Sequence, residues 1–198
     1  MIEAVEALKA LERGLVVAFP TETVWGLGAR LDRPDGIERL FALKGRERGK
    51  PLQVMVASAG SVSRVARVPE SVRIERLLPG PVSLVLRARD ALPDLGATGG
   101  TVAVRVPDHP VALELLELSG PLATTSANRS GEPTPDTLEG VRGVFGDGVE
   151  AYLDGPPAPA GTASTVVDLT GPEPVVLRAG AMGLEEVREA LGDVPGRW

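Results

Sequence analysis

Apolar positions along the chain alternate between two patterns, a spacing of three to four residues and short unbroken runs. Over residues 2–13, Ile2, Val5, Leu8 and Leu11 recur every third position and the pattern ends at Gly14, which predicts an amphipathic helix with a glycine stop. Leu15-Val16-Val17-Ala18-Phe19, closed by Pro20, reads as a buried strand. Asp32 and Pro34 open a second helix over 35–43 with Ile37, Leu40 and Phe41 inward. A strand at 52–56 follows, then short helices near 61–66 and 70–78, and a strand at 82–86 after the turn Pro79-Gly80-Pro81. The second half continues with a strand at 101–106, a helix at 110–118 with Asp108 as N-cap, and an extended segment at 121–124. A helix at 135–145, a strand at 149–153 and a stiff proline-rich loop at 154–163 come next. Runs at 164–169 and 175–178 complete the sheet before a last helix at 184–191. Strands alternating with helices, without a linker or a repeat, predict one domain over 1–198, of α/β or α+β class around one mixed sheet.

Composition narrows the chemistry. The chain has 198 residues, 43% hydrophobic and 24% charged, enough for a core and too apolar for disorder. No apolar window nears the ~18 residues of a membrane span. Glu3 and Glu6 stand where a secretory leader would carry basic residues, so a cytosolic, membrane-free location is expected. Zero cysteines exclude disulfides, thiolate zinc sites and cysteine nucleophiles, and one histidine, His109, excludes a zinc site built on several. The net charge of −6 repels polyphosphate backbones, so nucleic acid would need a local basic patch. Of 21 basic residues only Lys9, Lys44 and Lys50 are lysines, and two of these fall within one seven-residue stretch.

Familiar motifs fail. Gly26-Leu27-Gly28 follows a strand, but Leu31 stands where a dinucleotide fingerprint needs its third small residue. There is no P-loop, and no G-x-S-x-G elbow supports a triad around His109, which reads as structural. What remains is a set of segments at strand ends rich in Thr, Ser, Gly and Arg and poor in carboxylates: 20–28, 44–52, 101–107 and 123–131. Ligands of α/β sheets bind beyond strand ends, and hydroxyls with fixed guanidinium groups suit phosphates and carboxylates.

In order, these segments resemble the YrdC-like family, the threonylcarbamoyl-adenylate synthases, over roughly residues 8–180. The resemblance rests on Pro20-Thr21-Glu22-Thr23-Val24-Trp25-Gly26-Leu27-Gly28, Lys44-Gly45-Arg46 with Lys50-Pro51-Leu52, and Pro79-Gly80-Pro81. It continues through Val104-Arg105-Val106-Pro107-Asp108-His109-Pro110, Ser126-Ala127-Asn128 with Ser130-Gly131, Ser164 to Asp168, and Arg178-Ala179-Gly180.

The resemblance implies an open, twisted mixed sheet flanked by helices around a deep basic cavity, in the short single-domain form. It also implies a nucleotidyltransferase that makes threonylcarbamoyl-adenylate and pyrophosphate from ATP, L-threonine and bicarbonate. Mg²⁺ arrives with ATP, and no redox cofactor is expected. Downstream threonylcarbamoyl transferase proteins then modify tRNA beside the anticodon, so tRNA is met indirectly or weakly. Carried over by position, Arg46, Lys50, Thr101, Ser126, Asn128, Thr134 and Arg178 bind ATP, and Thr23, Met55, Arg105, Thr124 and Ser164 bind threonine. Arg105 pairs with the amino-acid carboxylate. Lys44 is a candidate contact for phosphate or bicarbonate, while no residue is expected to act covalently and no side chain to hold a metal. Such chemistry depends on positioning and charge stabilisation, which suits a chain with no Cys and one His. Three positions depart from the family pattern: Lys50 for the frequent Asn, Met55 for His, and Trp25 for Tyr.

Two other classes compete. A non-catalytic RNA-binding module is opposed by the negative net charge and an aromatic content of 3%. A carbamoyl-transfer domain of the hydrogenase-maturation type would be accompanied by zinc-binding and phosphatase modules, for which this cysteine-free chain has no room.

Overall fold

A computed structural model describes residues 2–90, 92–97, 99–156, 161–192 and 196. Its strands are β1 (Val17–Phe19), β2 (Gly26–Arg30), β3 (Gln53–Met55), β4 (Ala66–Arg67), β5 (Val82–Ala88), β6 (Thr101–Arg105), β7 (Leu122–Ser126), β8 (Ala151–Tyr152), β9 (Thr165–Asp168) and β10 (Val175–Arg178). The helices are α1 (Ile2–Glu12), α2 (Pro34–Lys44), α3 (Pro110–Ser119), α4 (Leu138–Phe145) and α5 (Leu184–Leu191). One mixed sheet runs β10-β9-β5-β6-β3-β7-β2-β1-β8, with β4 on β5. The pairs β1–β8, β3–β6 and β5–β9 are parallel and the rest antiparallel. The sheet is open, as expected.

Strand alternation divides this sheet into two unlike faces. Val54, Leu84, Val104, Ala123 and Val167 lie opposite one another in register and are buried. They join a core with Ile37, Leu40 and Phe41 of α2, Val141 and Phe145 of α4, and Val187 and Leu191 of α5. Each large aliphatic side chain buried there contributes about 1.5–3 kcal/mol. On the other face, α1 and α3 form a smaller core with Val17, Phe19, Met55 and Leu122. The rest of that face, with Gln53, Ser83, Ala103 and Arg105, lines a cavity.

Several local expectations change. Gly26–Arg30 is a strand where a glycine loop was expected. Its glycines serve close packing: a Cβ at Gly28 would lie 2.9 Å from the Phe19 ring and 3.3 Å from Leu122. In α1, Val5 is exposed, and the buried stripe is Ala4, Ala7 and Leu11, because small residues let α1 approach α3 closely. Helix α2 starts with Pro34 after Arg33, since the Asp32 carboxylate is taken by Arg30 at 2.6 and 2.8 Å. Helix α3 starts after His109 rather than Asp108, without a side-chain cap. Helix α4 begins three residues later than expected, where Thr137 Oγ1 accepts from the Gly140 N–H at 3.0 Å. The helix expected at 70–78 shrinks to one 3-10 turn, Ile74–Arg76, and that at 61–66 becomes the 3-10 turn Ala59–Arg64. Residues 157–160 of the expected proline-rich loop lie outside the described residues. Among the described residues no helix is long and apolar enough to cross a membrane.

Candidate functional site

The cavity on the less covered sheet face has a volume of about 440 Å³. Its wall carries four cationic side chains, Arg46, Lys50, Arg105 and Arg178, and no carboxylate among the described residues. Hydroxyls of Thr21, Ser83, Thr124, Thr125, Ser126 and Ser164 complete the polar part. The sheet register explains the set. Gln53 and Met55 of β3 lie opposite Thr124 and Leu122 of β7, Met55 lies opposite Arg105 of β6, and Ser83 lies opposite Val166 of β9.

The cations are held in different ways. Arg46 donates from Nε to the Lys50 carbonyl at 2.6 Å and from Nη2 to the Pro51 carbonyl at 2.8 Å, which folds the 46–51 loop over its own guanidinium. Arg178 donates from Nε and Nη2 to the Ser164 carbonyl at 3.1 and 2.7 Å, and from Nη2 to Ser164 Oγ at 3.3 Å. Burial lowers the Arg178 pKa, with a smaller push from the Arg105 charge, and burial alone lowers that of Arg46. Arg105 lies deepest, with a side chain 3% exposed, and its Nε donates to the Gly80 carbonyl at 3.3 Å. Its Nη2 stands 2.8 Å from Oε1 of Glu22, a contact that lacks hydrogen-bond alignment. Burial lowers the Arg105 pKa, and the Glu22 carboxylate opposes that shift. A guanidinium stays protonated under such a shift.

Behind the Ser126 wall lies a buried polar knot. Lys44 Nζ donates to the Ser126 carbonyl at 2.6 Å, to Ser126 Oγ at 2.9 Å and to Asn128 Oδ1 at 2.6 Å. Ser126 Oγ and Thr134 Oγ1 also donate to Asn128 Oδ1, at 2.6 and 3.2 Å. Burial, and secondarily the Arg46 charge, lowers the Lys44 ammonium pKa to about 8. Across the floor, Ser83 Oγ shares a hydrogen bond of 2.9 Å with Ser164 Oγ and lies 2.9 Å from Gln53 Oε1.

Of the residues singled out in the sequence, Arg46, Lys50, Met55, Arg105, Thr124, Ser126, Ser164 and Arg178 line the cavity together. Met55 also packs in the smaller core, so it is both wall and core. Lys44, Asn128 and Thr134 form the knot behind Ser126 instead of facing the cavity. Thr101 sits at the start of β6, on the face of Ala103 and Arg105 but outside the lining. Thr23 is fully buried and its hydroxyl lies 2.9 Å from that of Thr21, whose Oγ1 donates to the Val24 carbonyl at 2.6 Å. That bonding fixes the turn carrying Glu22. His109 is buried with Nε2 3.2 Å from the Pro156 carbonyl, away from the cavity. Glu22, Gln53 and Ser83 received no role from the sequence, although Ser83 is a polar residue inside an apolar strand and Glu22 a carboxylate among hydroxyls.

Comparison with known proteins gives a consistent set of likenesses. Residues 9–180 match the model of the Sua5, YciO and YrdC family, which is described as "Telomere recombination". A Mycobacterium tuberculosis protein is 42% identical over 192 residues, covering 95% of this chain and 88% of that protein. The threonylcarbamoyl-AMP synthase of Pyrococcus abyssi is 42% identical over 190 residues, 93% of this chain and 56% of the archaeal protein. The crystal structure of P. abyssi Sua5 complexed with L-threonine superposes with a TM-score of 0.88 at 40% identity, covering 95% of this chain and 57% of that one. The chain therefore spans little more than half the length of these P. abyssi matches.

Proposed function

Because the chain belongs to the Sua5, YciO and YrdC family, we propose that it is a threonylcarbamoyl-AMP synthase using ATP, L-threonine and bicarbonate. The observation that carries this reading is the convergence of Arg46, Lys50, Arg105 and Arg178 on one hydroxyl-lined cavity. Relatives bearing the activity as their name support it.

The reaction needs little covalent help from protein. The neutral threonine amine attacks the bicarbonate carbon; the N–C bond forms as the C–OH bond breaks, the departing hydroxide takes a proton from the nitrogen and leaves as water, and a carbamate results. A carbamate oxygen then attacks the α-phosphorus of ATP, forming an O–P bond as the bond to the β-phosphate oxygen breaks and pyrophosphate departs. Negative charge gathers on the phosphates throughout, and preorganised cations in a desolvated site stabilise it without reorganising. Arg46, Lys50 and Arg178 would face the phosphates. Arg105 would take the amino-acid carboxylate beside Met55, Thr124 and Ser164. The Lys44–Ser126–Asn128–Thr134 knot would shape the nucleotide side. Mg²⁺ would arrive as the nucleotide's counter-ion, part of the substrate and held by phosphate oxygens. The product would pass to a threonylcarbamoyl transferase acting on tRNA.

The experiment is pyrophosphate release from ATP and Mg²⁺, with threonine and bicarbonate omitted in turn. Release requiring both is expected. Release independent of threonine, or none in the complete mixture, overturns the reading.

A further inference from the structure

Glu22 stands out in this site for what it lacks. Both carboxylate oxygens are buried and neither makes an aligned hydrogen bond, although Oε1 lies 2.8 Å from Arg105 Nη2. The Glu22 side chain is 15% exposed and that of Arg105 3%. The Glu22 charge is the larger part of its effect on Arg105. Glu22 is not among the residues lining the cavity; it touches Arg105 from the turn that Thr21 fixes. Arg105 is itself close enough to Arg178 for its charge to be felt there, so two guanidinium groups share this end of the cavity. Among the described residues no carboxylate lines the cavity wall itself.

We infer that Glu22 sets the charge selectivity of the amino-acid end of the cavity, so that it admits a carboxylate accompanied by an ammonium and disfavours a carboxylate alone. This rests on the synthase reading above. Two unopposed guanidinium groups would attract any small organic anion. The buried Glu22 charge lowers that attraction and adds a favourable field for a cation next to the bound carboxylate. The ammonium of an amino acid stands one carbon from the carboxylate that Arg105 would take, and the Glu22 charge lies 2.8 Å from that guanidinium, so its field acts on both groups of the ligand. The selection has a chemical use. Only a ligand with an amine can be carboxylated, and a carboxylate without one would block Arg105 unproductively. Glu22 is thus a specificity-determining residue acting through its field, with no need to touch the substrate.

The test is calorimetric binding of L-threonine and of 3-hydroxybutyrate, which is threonine without its amino group, to the wild-type chain, Glu22→Gln and Glu22→Asp. Glu22→Gln keeps the shape and loses the charge; Glu22→Asp keeps the charge. The preference for threonine over 3-hydroxybutyrate should fall about tenfold in Glu22→Gln, chiefly because 3-hydroxybutyrate binds more tightly, and stay within about threefold in Glu22→Asp. Thermal unfolding of each variant confirms that a folded chain is titrated. An unchanged preference in Glu22→Gln overturns the inference, as does an equal fall in both variants, which would assign the effect to packing. A chain that selects threonine through Glu22 yet releases no pyrophosphate retains this role and loses the synthase reading.

Discussion

Arg178 and Ser164 are locked together: the guanidinium gives two hydrogen bonds to the Ser164 carbonyl and a third to its hydroxyl. Ser164 Oγ in turn meets Ser83 Oγ at 2.9 Å. A cation expected at the nucleotide phosphates and a hydroxyl expected at the amino acid therefore share one rigid unit. Perturbing either end should be felt at the other.

Gly180 guards this unit. A Cβ there would lie 2.3 Å from the Ala163 carbonyl oxygen and 2.4 Å from the Ser164 carbonyl carbon, so backbone has to move. Gly180→Ala should cost about 1–3 kcal/mol of stability and weaken ATP binding, read by urea unfolding and by ATP titration. Unchanged ATP affinity would show that the Ser164 carbonyl does not set the Arg178 position.

Arg105→Ala should raise the half-saturating threonine concentration by about a hundredfold while ATP changes far less, because a desolvated guanidinium–carboxylate pair is lost. The double variant Arg105→Ala/Glu22→Gln removes the orphaned carboxylate and should recover stability without recovering threonine use. Equal changes for both substrates, measured as pyrophosphate release, would reject this assignment.

Arg46→Ala or Arg178→Ala should raise the ATP requirement first, measured by ATP titration at saturating threonine. The Arg46 change also releases the Lys50 and Pro51 carbonyls, so the loss of order should be local to the 46–51 loop.

Lys44 gives a pH signature. Its pKa in the folded chain is about 8, against 10.5 ordinarily. Below about 8 both folded and unfolded chains hold the proton, and the burial penalty stands in full. Between about 8 and 10.5 the unfolded chain holds more protons, so the contribution of this group to stability rises with pH. The unfolding free energy of the wild type minus that of Lys44→Met should therefore climb across that window. A flat difference in urea unfolding series would show that the three oxygen acceptors fully compensate the burial.

Ser83→Ala leaves Gln53 Oε1 and Ser164 Oγ each short of a partner in a buried region. Urea unfolding should register a loss of about 1–3 kcal/mol. No loss would mean that Gln53 and Ser164 find each other.

The alternation of strands and helices and the mixed sheet were legible in the sequence, because apolar runs and helical spacing are properties of neighbouring positions, and eight of the cavity residues followed from the resemblance of its ordered blocks to the YrdC-like family. The sequence did not reveal that Gly26 and Gly28 sit within a strand, since the reason is the Phe19 ring packed across them. Nor did it show that Asn128 and Thr134 serve Lys44 behind the wall, or that the Thr23 hydroxyl is engaged with Thr21. Which sheet face stays uncovered is set by packing in three dimensions: α1 and α3 cover one end and leave β3, β6, β5 and β9 open to a cavity. Folding alone brings Glu22 to Arg105, 83 positions apart in the chain. Charge pairing and burial depend on distances in space, and no local pattern of residues carries them.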